Sequence, residues 1–126
     1  MDRTTVVEQM YQGYLDAHDM LAAGTLPSDI PQLAEFSARM DDATVFYVGS
    51  LELELRGREE IERFLVESRQ TLGLREVPER VFQHGDLVVA FNRVTITGAG
   101  GDASVPVVAV FQFEGDRIVG CWGFSS

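Results

Sequence analysis

The sequence predicts an α+β fold in which helices pack on one face of a curved antiparallel sheet. Two observations support this prediction. Three segments with apolar residues at helical spacing lie in the first part of the chain, whereas β-branched and alternating segments dominate the rest. The length of 126 residues is that of one domain with one core, so we predict a single domain spanning 1–126.

Three helices are predicted, at 4–24, 27–40 and 57–73. The first has apolar residues at positions 7, 10, 11, 14, 15 and 21, and Gly24 ends it. In the second, Pro31 occupies the first turn, where its missing N–H is not needed. The third carries an apolar stripe that includes Ile61 and Leu65.

Strands are predicted in the remaining segments. "ATVFYVGS" at 43–50 is β-branched and aromatic, and "LELELRG" at 51–57 alternates leucine with glutamate, which gives it one apolar and one solvated face. Pro78 marks an edge or a bend of its strand. Further strands are predicted at 75–85 and 86–98, followed by a flexible turn at 98–102 and a hairpin over 105–124 that turns at 114–117.

The charge balance narrows the choice of partner. The chain has 20 acidic and 10 basic residues and a net charge of -10, so it repels phosphate backbones and anionic membrane surfaces. We therefore expect neither nucleic acid nor a membrane as a partner. In addition, no apolar run reaches the roughly 18 residues that a membrane span requires.

The sequence predicts neither a metal site nor a bound cofactor. Its two histidines and one cysteine, at positions 18, 84 and 121, are too scattered for a structural zinc site. It has no glycine-rich phosphate-binding loop. A single cysteine excludes an intrachain disulfide, and the first residues lack the layout of a signal peptide, so we expect the protein to work in the reducing cytoplasm.

Several phrases of the sequence resemble a known family. "DDATVFYVGS", "RGREEIERFL" and the hairpin "VPVVAVFQFEGDRIVGCWGF" are similar to the strand, the helix and the final hairpin of the SnoaL-like polyketide cyclases. The resemblance extends to the ketosteroid isomerases and limonene-epoxide hydrolases, which share the nuclear-transport-factor-like cone fold. It implies a cone-shaped antiparallel sheet wrapped around three N-terminal helices and enclosing one apolar pocket. The fold itself hosts many unrelated reactions.

The catalytic acids of these relatives are not matched in this chain. The resemblance places Ala109, Cys121 and Gly123 where relatives often carry an acid or a histidine. It places Tyr47 where the isomerases carry their catalytic base. Arg93 matches the arginine of the epoxide hydrolases, but neither of their paired acids is present.

One functional residue of the relatives is matched. The isomerases use a tyrosine of the first helix to hold the oxyanion of their substrate, and Tyr14 lies at that place. A neutral phenol in an apolar cavity can donate a hydrogen bond to a carbonyl as it gains enolate charge. The alternative is a core tyrosine bonded to a backbone carbonyl. His18, one helical turn later, is either a proton shuttle or a satisfied histidine without a catalytic role.

Strand alternation, aligned with the acid positions of the family, predicts which side chains face the pocket. The predicted substrate-binding residues are Val45, Val89, Phe91, Thr95, Val107, Ala109, Phe111 and Cys121. The predicted catalytic residues are Tyr14, His18, Tyr47 and Arg93. Because the inner side of the hairpin has no acid, base or hydroxyl in its centre, the chemistry is expected to come from the first helix and the middle strands.

Three of these residues have structural alternatives. Tyr47 is either a second hydrogen-bond donor or an aromatic wall. Arg93 either binds an anionic ligand or is neutralised by an internal acid, such as Asp16 or Asp42, because a buried arginine is not left unpaired. Cys121 is interpreted mainly as a small buried hydrophobe, since no base stands near it in sequence to form a thiolate.

The outer face of the hairpin is too apolar for bare solvent, and such a patch is typical of a partner surface. Its residues are Val108, Val110, Trp122 and Phe124. Relatives often pair through this sheet face, so the resemblance implies a homodimer.

Two functions of different classes are compatible with the sequence. The first is a cofactor-independent enzyme that guides cyclisation or isomerisation of an apolar, oxygen-bearing metabolite, polyketide- or terpenoid-like, in bacterial natural-product biosynthesis. The second is a small-molecule-binding or assembly module that kept the cone and lost catalysis. Epoxide opening is a weaker third hypothesis, because Arg93 is present but a carboxylate to activate water is not evident.

Overall fold

The computed structural model describes residues 2–97 and 102–125. The helices are α1 (Arg3–Asp16), α2 (His18–Ala22), α3 (Pro31–Ser37) and α4 (Arg58–Leu72), with 3₁₀ turns at Pro27–Asp29 and Gly49–Leu51. The strands are β1 (Val45–Val48), β2 (Leu53–Arg56), β3 (Arg75–His84), β4 (Leu87–Ile96), β5 (Ala103–Glu114) and β6 (Arg117–Ser125). The predicted α+β class is confirmed. The predicted turn at 98–102 lies, apart from Asp102, outside the described residues.

The described strands form one six-stranded sheet in the order β2-β1-β6-β5-β4-β3. Four of its pairs are antiparallel, but β1 and β6 run parallel, with Val45 opposite Gly120. The prediction of a purely antiparallel sheet is therefore wrong at this pair. Parallel neighbours need a long crossover, and the chain between β1 and β6 contains α4 and four strands that supply it.

The sheet bends at two irregularities. The register of β3 against β4 shifts between Pro78 and Arg80, and that of β5 against β6 shifts between Gln112 and Phe113. Such bulges increase local twist and curve a strand. Because β3 is also an edge strand, Pro78 lies where the missing N–H is tolerated, as predicted. The resulting curvature gives the sheet a concave face.

The first predicted helix is divided into two. Its N-cap is Asp2, whose carboxylate accepts hydrogen bonds from the backbone N–H groups of Thr4 and Thr5. Ala17, with φ −98° and ψ 15°, leaves the helical conformation, and α2 begins after it. The change of direction brings α2 against α4 and buries Leu21 completely. The structure thus has four α-helices in its described part, where the sequence predicted three.

The N-terminal helices are held together by close packing and by a buried carboxylate. A Cβ atom on Gly13 would lie 2.8 Å from Leu33, so the glycine allows α1 and α3 to approach closely. Glu62 of α4 accepts hydrogen bonds from the Ser28 N–H, at 2.6 Å, and from the Ser37 hydroxyl, at 2.8 Å. These contacts fix α3 and α4 to each other below the sheet.

We expect Leu33→Ala to lower the free energy of unfolding by about 2–5 kcal/mol, because Leu33 is fully buried and its loss leaves a cavity against Gly13. Leu51→Ala is the matched control, since Leu51 is 63% exposed and its truncation should change stability by less than about 0.5 kcal/mol. Urea unfolding followed by circular dichroism measures both. Equal effects at the two positions would contradict the packing described above.

Candidate functional site

A cavity of about 630 Å³ lies between the concave face of the sheet and helices α1, α3 and α4. Its volume is in the range of pockets that hold drug-sized ligands. The hairpin of β5 and β6 supplies one apolar wall, as strand alternation predicts. The predicted substrate-binding residues of this wall, Val107, Ala109, Phe111 and Cys121, all line the cavity. Burial raises the pKa of the Cys121 thiol, which keeps it neutral and agrees with a packing role.

The mouth of the cavity has an apolar rim. Four large apolar lining residues are also exposed to solvent: Leu51, Leu72, Val105 and Phe124. The prediction that Phe124 belongs to the outer sheet face is therefore wrong. It is 46% exposed at the mouth, and its ring lies 6.2 Å from that of Tyr47. At the end of β6, alternation no longer separates the two faces, because the 3₁₀ turn Gly49–Leu51 approaches this part of the strand.

Three polar side chains from three elements form a hydrogen-bonded chain at the cavity. The Asn92 amide nitrogen donates to the Tyr11 hydroxyl at 2.9 Å and to Glu76 Oε2 at 2.6 Å. Asn92 is 1% exposed and Tyr11 is 5% exposed, so both are closed off from bulk water. Glu76 is half-buried, and its side chain lines the cavity. The chain therefore holds one carboxylate in place within a mostly apolar space.

Burial raises the pKa of Glu76, and the Asn92 hydrogen bond and the positive charge of Arg69 only partly oppose this effect. A carboxyl group with a raised pKa binds a proton more readily than an ordinary glutamate, which is the property of a general base that works near neutral pH. Glu76 is thus the ionisable group in this cavity best suited to proton transfer.

Arg69 places a positive charge in the same cavity. Its side chain lines the cavity although the residue is only 6% exposed. Its Nη1 donates to the Leu65 carbonyl and to Ser68 Oγ, each at 3.2 Å. Within the described residues, no carboxylate lies within 4.0 Å of its guanidinium. Burial lowers the pKa of Arg69, but an arginine stays protonated in proteins, so the cation persists.

Tyr14 lies beside this cation. The Arg69 guanidinium carbon is 4.8 Å from the centre of the Tyr14 ring, a cation–π contact. Among the described residues, the buried Tyr14 hydroxyl has no hydrogen-bond partner. Burial raises the pKa of Tyr14, so the phenol is neutral and able to donate. The structure thus places the tyrosine predicted from the resemblance at the cavity with its donor unused.

The other predicted catalytic residues do not line the cavity. Arg93 faces the opposite side of β4, is half exposed, and lies 3.9 Å from Glu79 on β3. Tyr47 packs against Phe124. The prediction that these two side chains face inward is wrong, and neither Asp16 nor Asp42 neutralises Arg93 as the structural alternative proposed.

His18 also lies outside the cavity, because the break at Ala17 removes it from the face of α1 that carries Tyr14. Burial lowers the pKa of His18, and the positive charges of Arg75 and Arg69 lower it further. It is therefore mostly neutral at pH 7, but it has no access to the cavity contents in this arrangement.

The misplaced residues share one cause. In both β1 and β4, the residues predicted to face the cavity are one position away from those that face it in the structure. In β4 the buried side carries Val88, Ala90, Asn92 and Val94, so the predicted substrate-binding residues Val89, Phe91 and Thr95 face away. In β1 the cavity is lined by Phe46 and Val48, so Val45 faces away with Tyr47. A shift of one residue moves every side chain to the other face. Both strands are apolar on both sides, which removes the contrast that alternation needs.

Sequence reasoning missed Arg69, Glu76 and Asn92. Arg69 could have been found, because it follows Leu65 by four and Ile61 by eight residues and so continues the inner stripe of α4. Glu76 gave no usable signal, since the neighbouring Val77 is the side chain that alternation would bury, yet Val77 is 45% exposed. Asn92 is a polar residue next to Arg93, and its position in the sequence gives no sign that it is buried.

Two other kinds of feature are absent from the described part of the chain. Residues 2–97 and 102–125 contain no group of three or more His, Cys, Asp or Glu side chains arranged to hold a metal ion. None of the helices in these ranges has both the length and the apolar character needed to cross a membrane.

The fold and the cavity define a protein of the nuclear-transport-factor-like cone class. An NTF2-like protein of unknown function from Burkholderia pseudomallei has a TM-score of 0.74 and 17% identity, over 100% of this chain and 92% of that chain. A candidate SnoaL-like polyketide cyclase from Shewanella denitrificans has a TM-score of 0.67 and 22% identity, over 95% and 90%. A Mycobacterium tuberculosis LEH-like epoxide hydrolase has a TM-score of 0.68 and 16% identity, over 99% and 86%. At these identities the likeness shows the fold alone.

The chain belongs to the SnoaL-like domain family, whose model matches residues 7–121. The family resemblance read from the sequence is thereby confirmed. Comparison with curated proteins finds no match. The reaction must therefore be argued from the cavity and its residues.

We expect Tyr14→Phe to leave the free energy of unfolding unchanged or to raise it, because the buried hydroxyl has no partner among the described residues and its removal deletes an unsatisfied group. Tyr11→Phe is the matched control on the same helix. It removes an acceptor of the buried Asn92 amide and should lower stability by about 1 kcal/mol or more. Urea unfolding of the two variants tests the contrast, and a loss of that size in Tyr14→Phe would show that its hydroxyl is structural.

Proposed function

We propose that the protein is a cofactor-independent enzyme that guides cyclisation or isomerisation of an apolar, oxygen-bearing metabolite. The observation that carries this proposal is the Glu76 carboxylate, which is fixed by Asn92 in a largely apolar cavity and whose pKa is raised. An ionisable group kept in such a place lowers stability, and proteins retain such groups where function requires them.

The proposed first step is removal of a proton from a carbon next to a carbonyl group. Glu76 takes the proton, the C–H electron pair forms a carbon–carbon double bond, and the carbonyl electrons move to the oxygen. The Tyr14 hydroxyl donates a hydrogen bond to this developing oxyanion, and the charge of Arg69 favours it. The low dielectric of the cavity strengthens both interactions.

Both isomerisation and cyclisation can proceed from the same enolate. Return of the proton from Glu76 to a different carbon of a conjugated enolate moves a double bond, which is isomerisation. Attack of the enolate carbon on a second carbonyl of the same molecule, followed by proton transfer to the new alkoxide, closes a ring. The apolar wall of β5 and β6 holds a flexible substrate in a reactive shape, which lowers the entropic barrier.

Two other functions are compatible with the sequence, a binding or assembly module and an epoxide-opening enzyme, and the positions of the arginines bear on both. A binding or assembly module is favoured by Arg69, which could hold an anionic ligand without any chemistry, but such a module has no need of a base. The epoxide-opening hypothesis relied on Arg93, and Arg93 lies outside the cavity.

We place the enzyme in bacterial natural-product biosynthesis, because a candidate polyketide cyclase is among its structural neighbours.

Proton abstraction can be measured without the natural substrate. We expect the protein to accelerate hydrogen–deuterium exchange at the α-carbons of β-tetralone, an enolisable bicyclic ketone, as followed by NMR in D₂O. Glu76→Gln should reduce the rate above buffer by about 100-fold or more, because its amide cannot accept the proton. The wild-type rate should rise with pH through the raised pKa of Glu76, because only the ionised form is a base.

Glu79→Gln is the control for this experiment. Glu79 lies on the same strand but on the exposed side, opposite Arg93, so its replacement should leave the exchange rate unchanged. Exchange that is equally fast in Glu76→Gln and in the parent protein would exclude Glu76 as the base. The absence of exchange from the parent protein with a panel of ketones would support the binding module instead.

We also propose that a second copy of the chain covers the outer face of the sheet. Val108, Val110 and Trp122 are half-buried there, and the Phe91 ring, 39% exposed, lies 5.8 Å from that of Phe82. Arg93 on the same face lies 3.9 Å from Glu79, so the two charges largely balance within one chain and add little repulsion between two copies. An aromatic and aliphatic surface of this kind is typical of an interface core.

For the dimer, we expect sedimentation equilibrium to give twice the mass of the chain for the parent protein. Phe91→Glu should shift the equilibrium toward monomer, because it introduces a charge into the apolar face. Leu51→Glu places the same charge at the cavity mouth and should stay dimeric. A monomeric parent protein at micromolar concentration would contradict the proposal.

A further inference from the structure

We infer that the substrate of this cavity is an apolar keto acid, whose carboxylate binds Arg69 while its ketone oxygen accepts a hydrogen bond from Tyr14. The inference rests on the proposed function for the role of the ketone, but the carboxylate site stands on separate observations. It requires that no carboxylate pair directly with Arg69, that some of its donors lack a protein partner, and that the rest of the cavity fit an apolar body.

The first requirement is met by the charge distribution. Arg69 is 6% exposed, and the described residues place no carboxylate within 4.0 Å of it. A buried cation without a partner is costly, and an apolar side chain of similar length would be more stable at this position. Of the carboxylates that line the cavity, Glu76 is held by Asn92 and acts on Arg69 only at longer range, and Glu67 forms no ion pair with it. Arg69 is therefore short of one negative charge that a ligand can supply.

The second requirement is met by the way Arg69 is held. Its Nη1 is fixed by the Leu65 carbonyl and by Ser68 Oγ, and Ser68 Oγ is itself anchored to the same carbonyl at 2.9 Å. Within the described residues, Nε and Nη2 donate no hydrogen bond. A planar guanidinium with these two donors free can bind a carboxylate through two parallel hydrogen bonds.

The two predicted contacts lie close together. The guanidinium carbon is 4.8 Å from the centre of the Tyr14 ring, and the phenol hydroxyl is the unpartnered group of that ring. Two oxygen atoms of one small molecule can therefore meet Arg69 and Tyr14 together, as those of a carboxylate and a nearby ketone do. The aromatic lining residues Phe36, Phe46 and Phe64 suit a cyclic or aromatic body.

The site also makes a prediction about pH. A bound carboxylate adds a second negative charge near Glu76, so binding should strengthen as Glu76 takes up a proton. The groups that face Glu76 are Arg69 from α4, Tyr11 from α1, Asn92 from β4 and Cys121 from β6. Of these, only Arg69 is charged, because burial keeps the phenol and the thiol neutral. Glu76→Gln should remove this dependence.

The test compares β-naphthoate with β-naphthamide, which have the same shape and differ in charge, by isothermal titration calorimetry. We expect the acid to bind at least about tenfold more tightly than the amide to the parent protein, and the preference to disappear in Arg69→Met. Arg93→Met removes an exposed arginine of the outer face and should keep the preference. The thermal unfolding midpoint of Arg69→Met should not fall, because the variant loses an unpaired buried charge.

As the pH is lowered toward the raised pKa of Glu76, within the range in which an aryl carboxylate remains ionised, affinity for the acid should increase in the parent protein but not in Glu76→Gln. Equal affinities for acid and amide in the parent protein would overturn the inference, and they would leave the proposed function intact if β-tetralone exchange persists. An acid preference that depends on Arg69, without exchange from any ketone, would uphold the carboxylate site and overturn the proposed reaction. If Arg69→Met does not fold, the comparison of acid and amide on the parent protein decides alone.

Discussion

The two hydrogen bonds of the Asn92 amide are the interaction on which the site depends. They join α1, through Tyr11, to the edge strand β3, through Glu76, by way of a residue on the strand between β3 and β5. The Tyr11 hydroxyl is buried and Glu76 is partly buried, so losing the amide would remove a hydrogen-bond partner from both groups. One side chain therefore fixes the helix against the sheet and the position of the carboxylate. The packing of the fold and the placement of the proposed base thus depend on the same side chain, Asn92.

The cavity is assembled at the expense of stability, and the surrounding packing makes this possible. Within the described residues, Tyr14 has no hydrogen-bond partner for its hydroxyl and Arg69 has no carboxylate within 4.0 Å, and Glu76 adds a partly buried carboxylate to the same space of about 630 Å³. Beneath it, the close approach of Gly13 to Leu33 and the hydrogen bonds to Glu62 hold the helices independently of the cavity. Because the packing of the helices against one another does not use Tyr14 or Arg69, these two polar groups can remain open toward a ligand.

The sequence alone assigned the faces of the strands correctly in some strands and wrongly in others. In β5, Val107, Ala109 and Phe111 were correctly directed inward, because the alignment with the family set the side of that strand. In β1 and β4 both sides are apolar, since the outer face is apolar as well, and alternation then has no physical basis for choosing. Asn92 added a misleading signal, because a buried polar residue resembles a solvent-facing one when its partners lie on distant elements.

The apolar inner side of the β5–β6 hairpin is explained by the polar residues on the other side of the cavity. The resemblance implies that relatives carry acids where this chain has Ala109, Cys121 and Gly123, and the structure shows Glu76 on the edge strand β3 instead. Catalysis depends on where a carboxylate lies relative to the substrate, and the strand that supplies it is free to vary. With the proposed base on β3 and the cation on α4, the reactive end of the proposed substrate lies near these two residues, and its apolar body lies against the hairpin. The apolar side chains Val107, Ala109 and Phe111 on the inner side of the hairpin suit the binding of this body.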